Sequence, residues 1–425
     1  MARPLHSLST LHAGEALASR YRAVRAATER LCEPLSAEDC QVQSMDDASP
    51  VKWHLAHTSW FFETFVLERM AGYRPFHPDF RVLFNSYYQT VGRQHPRPQR
   101  GLLSRPTLDE VLAYRAHVDA RMLSLLETRR DVDTDVVMLG LQHEQQHQEL
   151  ILTDAKHMLS CNPLRPAYRD GPHAPRVEST PLGWQPFAAG IQWIGHDGRG
   201  FCFDNEQPRH RVFVEAFELA PRPVTNEEFL AFIDDGGYER PELWLSDGWS
   251  TVQARGWRAP LYWERRDGVW YVMTLAGLRT LRVDEPVCHV SLYEADAFAR
   301  WAGARLPREA EWEVAAAGVN VDGNFVESGW LHPAPVGTGA PVVGQLFGDV
   351  WEWTQSAYSP YPGYQPPAGA LGEYNGKFMC SQLVLRGGSC ATPRDHVRAT
   401  YRNFFPPDAR WQFSGIRLAR DAREG

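Results

Sequence analysis

The stretch LGLQHEQQHQELILTDAKH, residues 139–157, decides the fold of the N-terminal half of the chain. Its apolar residues recur at the spacing of an amphipathic helix, and the wider pattern extends this helix over about 132–160. His143 and His147 stand at positions i and i+4, so their imidazoles lie on one helical face, one turn apart. That spacing lets both rings bind one metal ion. The alternative is a solvated helical face that carries two histidines.

Three upstream segments have the same periodicity. They cover about 11–32, 53–70 and 107–127, and Thr107 with Glu110 forms a capping-box pattern at the start of the third. The connection from Tyr73 to Pro106 contains five prolines and is too proline-rich to form a helix. Four helices with one long crossover predict a helical bundle.

The composition changes after the fourth helix. Residues 162–185 are rich in Pro, Arg and Gly, which is typical of a linker, so we predict domains at 1–165 and 186–425 joined by a linker at 166–185. Beyond it, short apolar runs alternate with turn residues, and helical stretches occur at about 224–235 and 291–302. The sequence therefore predicts an α+β chain of two domains.

Length and composition narrow the function classes. The chain has 425 residues, a length that suggests two or three domains. Of its residues, 43% are hydrophobic and 23% are charged, which is typical of globular proteins. Its net charge of -8, without a long run of like charges, gives no footprint for nucleic acid or an anionic membrane. No transmembrane span or secretory signal is visible, so we expect a cytoplasmic protein. Seven cysteines without a C-x-x-C pair argue against a disulfide framework or zinc ribbon. The oligomeric state is not indicated.

A third metal ligand is available in the second helix. His57 lies in WHLAHTSWFFE, residues 53–63, where Leu55 and Trp60 mark a core-facing stripe. His54 is the weaker candidate, and either histidine could instead be a hydrogen-bonded core residue. Three neutral imidazoles leave open coordination positions, which suits a catalytic Fe(II) or Zn(II).

Residues 143–147 also match H-E-x-x-H, the zinc metalloprotease pattern, in which Glu144 would be the general base. That class usually takes its third ligand from downstream, whereas the best third histidine here is upstream. The protease is therefore the less favoured enzyme class.

Both halves resemble known families. SPVKWHLAHTSWFFETF, residues 49–65, and the stretch 139–157 closely resemble the DinB-like four-helix bundle of the ergothioneine-biosynthesis sulfoxide synthases. The second half is similar to the formylglycine-generating enzyme (sulfatase-modifying factor) fold, a C-type-lectin-like domain. The matching segments are FDNEQPRHRV from Phe203, PVTNEEF from Pro223, the run from Pro286 through RLPREAEWE, GDVWEWT from Gly348, RGGS from Arg386 and SGIRLAR from Ser414.

One departure from the second family matters. Formylglycine-generating enzymes use a pair of cysteines after the RGGS stretch, but Cys390 has no partner cysteine downstream. The lectin-like half is therefore better interpreted as a substrate-binding domain than as a second oxidase.

The resemblance to the sulfoxide synthases implies an Fe(II)- and O2-dependent enzyme, with His57, His143 and His147 as the iron ligands. It would join a thiol, cysteine favoured over gamma-glutamylcysteine, to C2 of the hercynine imidazole and oxidise the sulfur to a sulfoxide. Alternatives are a selenoneine synthase with a selenosugar donor, an ovothiol-type sulfoxide synthase and a non-catalytic lectin-like binding protein. The last of these predicts no stoichiometric metal.

The same resemblance implies roles for five residues of the bundle. Tyr87 and Tyr88 match a tyrosine pair of the cysteine-using branch, in which a tyrosine donates a catalytic proton. Gln146 would hydrogen-bond the substrate imidazole, and Arg97 and Arg100 would hold the carboxylate of the sulfur donor. Aromatic packing of the tyrosines and a solvated loop face for the arginines are the alternatives.

Four residues of the tail segment YRNFFPPDARWQF complete the implied site. Asn403, Phe404 and Phe405 resemble a segment that contacts the trimethylammonium group of hercynine, because a quaternary cation needs aromatic faces and uncharged oxygens. Arg410 would pair with an amino-acid carboxylate. Core packing is the alternative role for either phenylalanine.

Overall fold

The structure, a computed structural model, describes residues 6–128, 132–177, 181–336 and 343–422, with side chains from residue 15 onward. The chain forms two compact units, one of Met1–Cys161 with Gly369–Glu373 and one of Asn162–Ala368 with Tyr374–Gly425. Within the predicted linker, 166–185, the described residues 166–177 and 181–184 contain neither helix nor strand, and the first strand of the second unit begins at Gln185. A search of the described helices for one long and apolar enough to cross a membrane finds none.

The first unit is helical, as predicted. Its described α-helices are α1 (His6–Cys32), α2 (Val51–Phe65), α3 (Phe80–Leu83), α4 (Leu108–Thr128) and α5 (Thr134–Cys161). The prediction that α2 continues to about residue 70 is wrong, because the chain tightens after Phe65 into a 3-10 turn at Leu67–Arg69. The capping box at the start of α4 is present, with the Thr107 N–H donating to Glu110 (2.7 Å) and the Glu110 N–H to Thr107 Oγ1 (3.2 Å).

Helix α2 is the centre of the bundle. All of its residues except Thr64 are buried, as expected of a helix surrounded by others. It packs against α4 and α5, and Gly140 allows α5 to approach closely. A Cβ atom at Gly140 would lie 2.5 Å from Cε1 of Phe62 and 2.9 Å from Cδ1 of Phe61. A larger residue would therefore force apart the two helices that carry the three candidate ligands.

The proline-rich crossover between α2 and α4 contains α3 and a 3-10 helix at Arg97–Leu102. Two indoles of α2 fasten it to the bundle. Trp53 Nε1 donates to the carbonyl of Leu83 and Trp60 Nε1 to that of Arg81, both at 3.2 Å. The crossover is thus held against the helix that carries His57.

The second unit mixes short helices and strands. Its described helices are α6 (Asn226–Asp234), α7 (Ser246–Arg255), α8 (Leu292–Trp301) and α9 (Glu309–Ala316). The strands are β1 (Gln185–Phe187), β2 (Gly190–Ile194), β3 (His210–Val214), β4 (Phe217–Leu219), β5 (Trp263–Arg266), β6 (Val269–Thr274), β7 (Gly277–Thr280), β8 (Trp351–Ala357), β9 (Leu383–Arg386), β10 (Asn403–Phe405), β11 (Ser414–Gly415) and β12 (Ala419–Asp421). The two predicted helices are α6 and α8, and both begin with a capping box.

The strands of this unit form four small sheets, in the orders β1-β4-β12, β10-β9-β8-β11, β2-β3 and β5-β6-β7. All neighbours are antiparallel except β8 and β11. The fully buried Glu352 of β8 joins three of the quoted motifs, because its carboxylate accepts from Arg417 Nε (2.8 Å) and Trp312 Nε1 (2.7 Å). These motif residues build the core of the domain.

Candidate metal centre

Three histidines from two helices meet in the bundle. His57 lies on α2, and His143 and His147 lie one turn apart on α5. Each offers one ring nitrogen, and these nitrogens lie within 4.8 Å of one another. All three side chains are buried. The structure therefore brings together the three residues that the sequence predicts as ligands.

The burial of this cluster keeps its imidazoles neutral. Burial lowers the pKa of His143 to about 3 and that of His57 well below its usual value. The pKa of His147 is also lowered, first by burial and then by its histidine neighbours. Neutral imidazole is the form that binds a metal ion, so the cluster is electrostatically prepared for one.

The orientation of His57 is fixed on all sides. Its Nδ1 lies 2.6 Å from the carbonyl oxygen of Phe84, so Nδ1 carries the proton and donates. Its ring is stacked between Trp53 (centroids 4.5 Å apart) and Trp60 (5.5 Å), with interplanar angles of 14°. Nε2 is buried and makes no hydrogen bond within the described chain. A buried nitrogen lone pair, on a ring whose centroid lies 4.9 Å from that of His143 and 4.8 Å from that of His147, fits a metal ion.

His54, the weaker ligand candidate, lies outside this cluster of three. Its Nδ1 is 2.7 Å from Nδ1 of His147, and its Nε2 is 3.0 Å from Oδ2 of Asp154. Both ring nitrogens are therefore used in hydrogen bonds, which agrees with its interpretation as a core histidine.

The carboxylate of Glu144 is bound within the bundle and is not available to a metal-bound ligand. Its oxygens accept from Arg25 Nη1 (2.9 Å), Arg115 Nη2 (2.6 Å) and Thr28 Oγ1 (2.7 Å). Burial acts to raise the pKa of this carboxyl, but the two guanidiniums, Arg115 first, lower it to about 2. A general base for a zinc metalloprotease would instead have to face the metal. The arrangement disfavours that class.

The tyrosine pair lies on the crossover beside α2. Tyr88 is fully buried, with its ring 5.6 Å from that of Trp60 and 5.1 Å from that of Phe65. The Asn85 side chain brackets it by accepting from the Tyr88 N–H (3.1 Å) and donating to the Tyr88 carbonyl (3.0 Å). Tyr87 is half-buried and stacks on Tyr88 at 4.6 Å. Tyr88 is thus one aromatic ring away from the candidate ligand His57.

Arg100 differs from most buried arginines of this protein. It is only 3% exposed, and no carboxylate in the described chain lies within salt-bridge distance of it. Its guanidinium lies 3.4 Å above the ring of Trp53 and donates to Ser49 Oγ (2.9 Å) and Ser86 Oγ (3.1 Å). Burial, followed by the charge of nearby Arg97, lowers the pKa of Arg100 to about 8. A bound carboxylate would compensate this buried charge.

Two residues of the bundle with predicted roles remain, Arg97 and Gln146, and each lies close in sequence to a residue described above. Arg97 is exposed and donates to the carbonyl of Asp47. Gln146 is half-buried on α5, directly before His147. Both positions leave part of the side chain accessible to a small molecule.

The predicted tail residues lie in the second unit. Asn403, Phe404 and Phe405 form β10, and the ring of Phe404 stacks on that of Tyr358 at 4.0 Å and 9°. Arg410 donates to Glu294 and to the carbonyl of Ala259. Its charge is therefore already paired within the protein, in contrast to that of Arg100.

Four residues that organise the centre received no role in it from the sequence. Trp53 and Trp60 flank His57 at helical spacing, four residues before and three after it. Asp154 lies two turns after His147 on the same face of α5. These spacings could have been read from the sequence, whereas the contact of Ser49 with Arg100 depends on the tertiary fold.

Comparisons with known proteins agree with this architecture. The family model of the DinB superfamily matches residues 20–151, and that of the sulfatase-modifying factor enzyme 1-like domain matches 186–340 and 334–422. Two relatives named hercynine oxygenase cover nearly the whole chain. The protein of Mycolicibacterium smegmatis is 34% identical over 96% of this chain and 99% of its own, and that of Mycobacterium tuberculosis is 35% identical over the same shares.

A third relative covers about half of this chain. The formylglycine-generating enzyme of Streptomyces coelicolor is 30% identical over 53% of this chain and 84% of its own length. Because the two relatives named hercynine oxygenase are at least 34% identical to the chain over 96% of its length, which includes both units, the chain belongs to the hercynine oxygenase family.

Proposed function

We propose that the protein is a non-haem Fe(II)-dependent sulfoxide synthase of ergothioneine biosynthesis. It joins the sulfur of a thiol, cysteine in preference to gamma-glutamylcysteine, to C2 of the hercynine imidazole, with O2 as oxidant. The observation that carries the proposal is the buried, neutral cluster of His57, His143 and His147 in a chain of this family.

The atoms and electrons of this reaction balance with one O2. The C2–H bond of hercynine and the S–H bond of the thiol break, and a C–S bond forms. One oxygen atom ends on sulfur as the sulfoxide, and the other leaves as water with the two hydrogens. Bound iron would supply the redox chemistry that activates O2.

The side chains of the bundle have separate tasks in this proposal. The three histidines would hold the metal and leave positions for small molecules. Arg100 would bind the carboxylate of the thiol donor, and Gln146 would orient the hercynine imidazole. Tyr88 would deliver a proton to the oxygen that leaves as water. The stack of Arg100, Trp53 and His57 supports this arrangement, because it links the carboxylate site to a ligand through two ring contacts.

For the second unit we propose a contribution to hercynine binding. The aromatic faces of Phe404 and Phe405 and the amide of Asn403 have the chemistry that a trimethylammonium group requires. For Arg410 the proposed carboxylate contact would have to compete with Glu294.

The test is O2 consumption with product mass analysis on protein reconstituted anaerobically with Fe(II). Hercynine is supplied with cysteine, gamma-glutamylcysteine or a selenosugar in parallel. A sulfoxide adduct with cysteine supports the proposal, whereas a preference for the selenosugar would make the protein a selenoneine synthase. Uptake with histidine in place of hercynine would indicate the ovothiol type. Absence of bound iron and of O2 uptake would leave a binding protein.

We expect Arg100→Met to weaken use of the thiol donor. Methionine keeps much of the side-chain volume but removes the charge that would bind the carboxylate. Loss of a charge-assisted hydrogen bond of about 2 kcal/mol raises KM for cysteine by ~30-fold. Steady-state kinetics at varied cysteine measures this, with KM for hercynine as the internal reference.

Arg93→Met is the matched control, because Arg93 lies on the same crossover but is exposed. It should leave both KM values unchanged. An unchanged KM for cysteine in the Arg100 variant would show that the buried guanidinium does not bind this substrate.

We expect Tyr88→Phe to change the products. Without the phenol proton, oxidation is diverted to simple thiol dioxygenation, which adds both oxygen atoms to sulfur and gives the sulfinate. A positioned general acid contributes about 100-fold or more, so the ratio of sulfoxide adduct to sulfinate should fall by ~100-fold. Tyr87→Phe is the control, since Tyr87 lies one ring further from Trp60. The opposite pattern would assign the proton to Tyr87.

A further inference from the structure

A second histidine and a carboxylate lie behind the candidate ligand His147. His54 is 2% exposed and Asp154 is 5% exposed, so both groups are out of bulk water. His54 connects the other two side chains. Its Nδ1 lies 2.7 Å from Nδ1 of His147, and its Nε2 lies 3.0 Å from Oδ2 of Asp154. The His54 and His147 rings are 5.0 Å apart and tilted by 58°.

The hydrogen bonds determine where the protons are. Asp154 Oδ2 also accepts from the backbone N–H of Ser49 at 2.8 Å, so this oxygen acts as an acceptor. It therefore needs a donor at His54 Nε2, and a neutral His54 then has a lone pair at Nδ1. That lone pair requires a proton on His147 Nδ1, which leaves the His147 lone pair on Nε2. When both rings are neutral, these two contacts assign one tautomer to each ring.

We propose that His54 and Asp154 are positioning residues that hold His147 in the tautomer and ring orientation that present Nε2 to a metal ion. The inference rests on the metal site proposed above and adds a specific role for two residues that are not ligands. Groups that hold the outer nitrogen of a ligand histidine set its orientation and basicity and affect metal affinity by ~10–100-fold.

The comparison with His57 supports this role. His57 is held in the corresponding state by a main-chain carbonyl, that of Phe84, which side-chain substitution cannot remove. His147 depends instead on side chains. His54 lies three residues before His57 on α2, and Asp154 lies seven after His147 on α5, so the same two helices supply both the ligands and this support.

Two substitutions of His54 separate positioning from packing. His54→Leu fills the space but accepts no hydrogen bond. His54→Asn retains an oxygen that can take the place of Nδ1 as acceptor for His147. His117→Leu makes the same change on α4 at a half-buried histidine outside the metal cluster. The probe is Co(II) alone, added to the full-length metal-free protein, with its visible absorption spectrum and its Kd from chelator competition as readouts.

We expect His54→Leu to weaken Co(II) binding by ~10–100-fold and to alter the spectrum. His54→Asn and His117→Leu should stay within about threefold of wild type. Thermal unfolding of the metal-free proteins shows whether each variant is folded. If His54→Leu does not fold, Asp154→Asn provides a second test of the same role. In that variant we expect weaker binding, because a neutral amide is a poorer acceptor for His54.

Wild-type affinity in His54→Leu, or equal losses in His54→Leu and His54→Asn, would overturn the positioning role. Failure of the wild-type protein itself to bind Co(II) would instead overturn the metal site on which the inference rests. The two failures are therefore distinguishable.

Discussion

His143→Ala will abolish metal binding and, with it, the O2-dependent reaction. His143 shares one face of α5 with His147 and lies opposite His57, so its removal leaves two of three nitrogen ligands. The two remaining imidazoles supply only two protein ligands, and water or buffer would occupy the third coordination position. We expect iron content after anaerobic reconstitution and desalting to fall from about one equivalent to background, measured by elemental analysis.

The control must show that the bundle is intact. His77→Ala removes an exposed histidine of the same unit and should retain full iron content and activity. The helical circular dichroism of metal-free His143→Ala should match that of metal-free wild type, because the lost ring leaves only a small void beside Phe61. Retention of stoichiometric iron by His143→Ala would contradict the three-histidine site.

Helical periodicity indicates the three histidines as candidate ligands, and the resemblance to the sulfoxide synthases implies the complete set. His143 and His147 are four residues apart, and His57 stands in the apolar stripe of a second helix. The environment of Arg100 could not be predicted in this way. Its burial over Trp53 depends on how an irregular, proline-rich crossover folds back on α2, and no periodic pattern describes such a segment.

The second unit shows the same division. Helices α6 and α8 have clear capping boxes and apolar faces, and both were predicted. Helix α7 was missed because SDGWSTVQAR has little apolar periodicity and contains a glycine. Gly248 is there for packing, since a Cβ atom would lie 3.0 Å from Cβ of Tyr293. A tertiary contact of this kind overrides local preference and is not visible in the sequence.

Glu144→Gln should destabilise the bundle without removing the metal site. The substitution keeps the side-chain shape but leaves Arg25 and Arg115 without the fully buried carboxylate that they share. Breaking a buried ion pair by removing one partner costs about 3–5 kcal/mol. Each guanidinium keeps another carboxylate, Asp119 for Arg25 (2.6 Å) and Glu29 for Arg115 (3.0 Å), so we expect the lower end, about 3 kcal/mol in the free energy of unfolding.

Urea unfolding of metal-free protein, followed by circular dichroism, measures this loss. Glu127→Gln is the matched control, because Glu127 pairs with Arg22 at the surface of the same bundle and such pairs contribute about 0–1 kcal/mol.

The same pair of variants separates the two interpretations of H-E-x-x-H. A metalloprotease base would lose hydrolysis with little change in stability, whereas a structural carboxylate loses stability while the folded protein still binds metal. Because Glu144 accepts three hydrogen bonds from groups inside the bundle, we expect the second result.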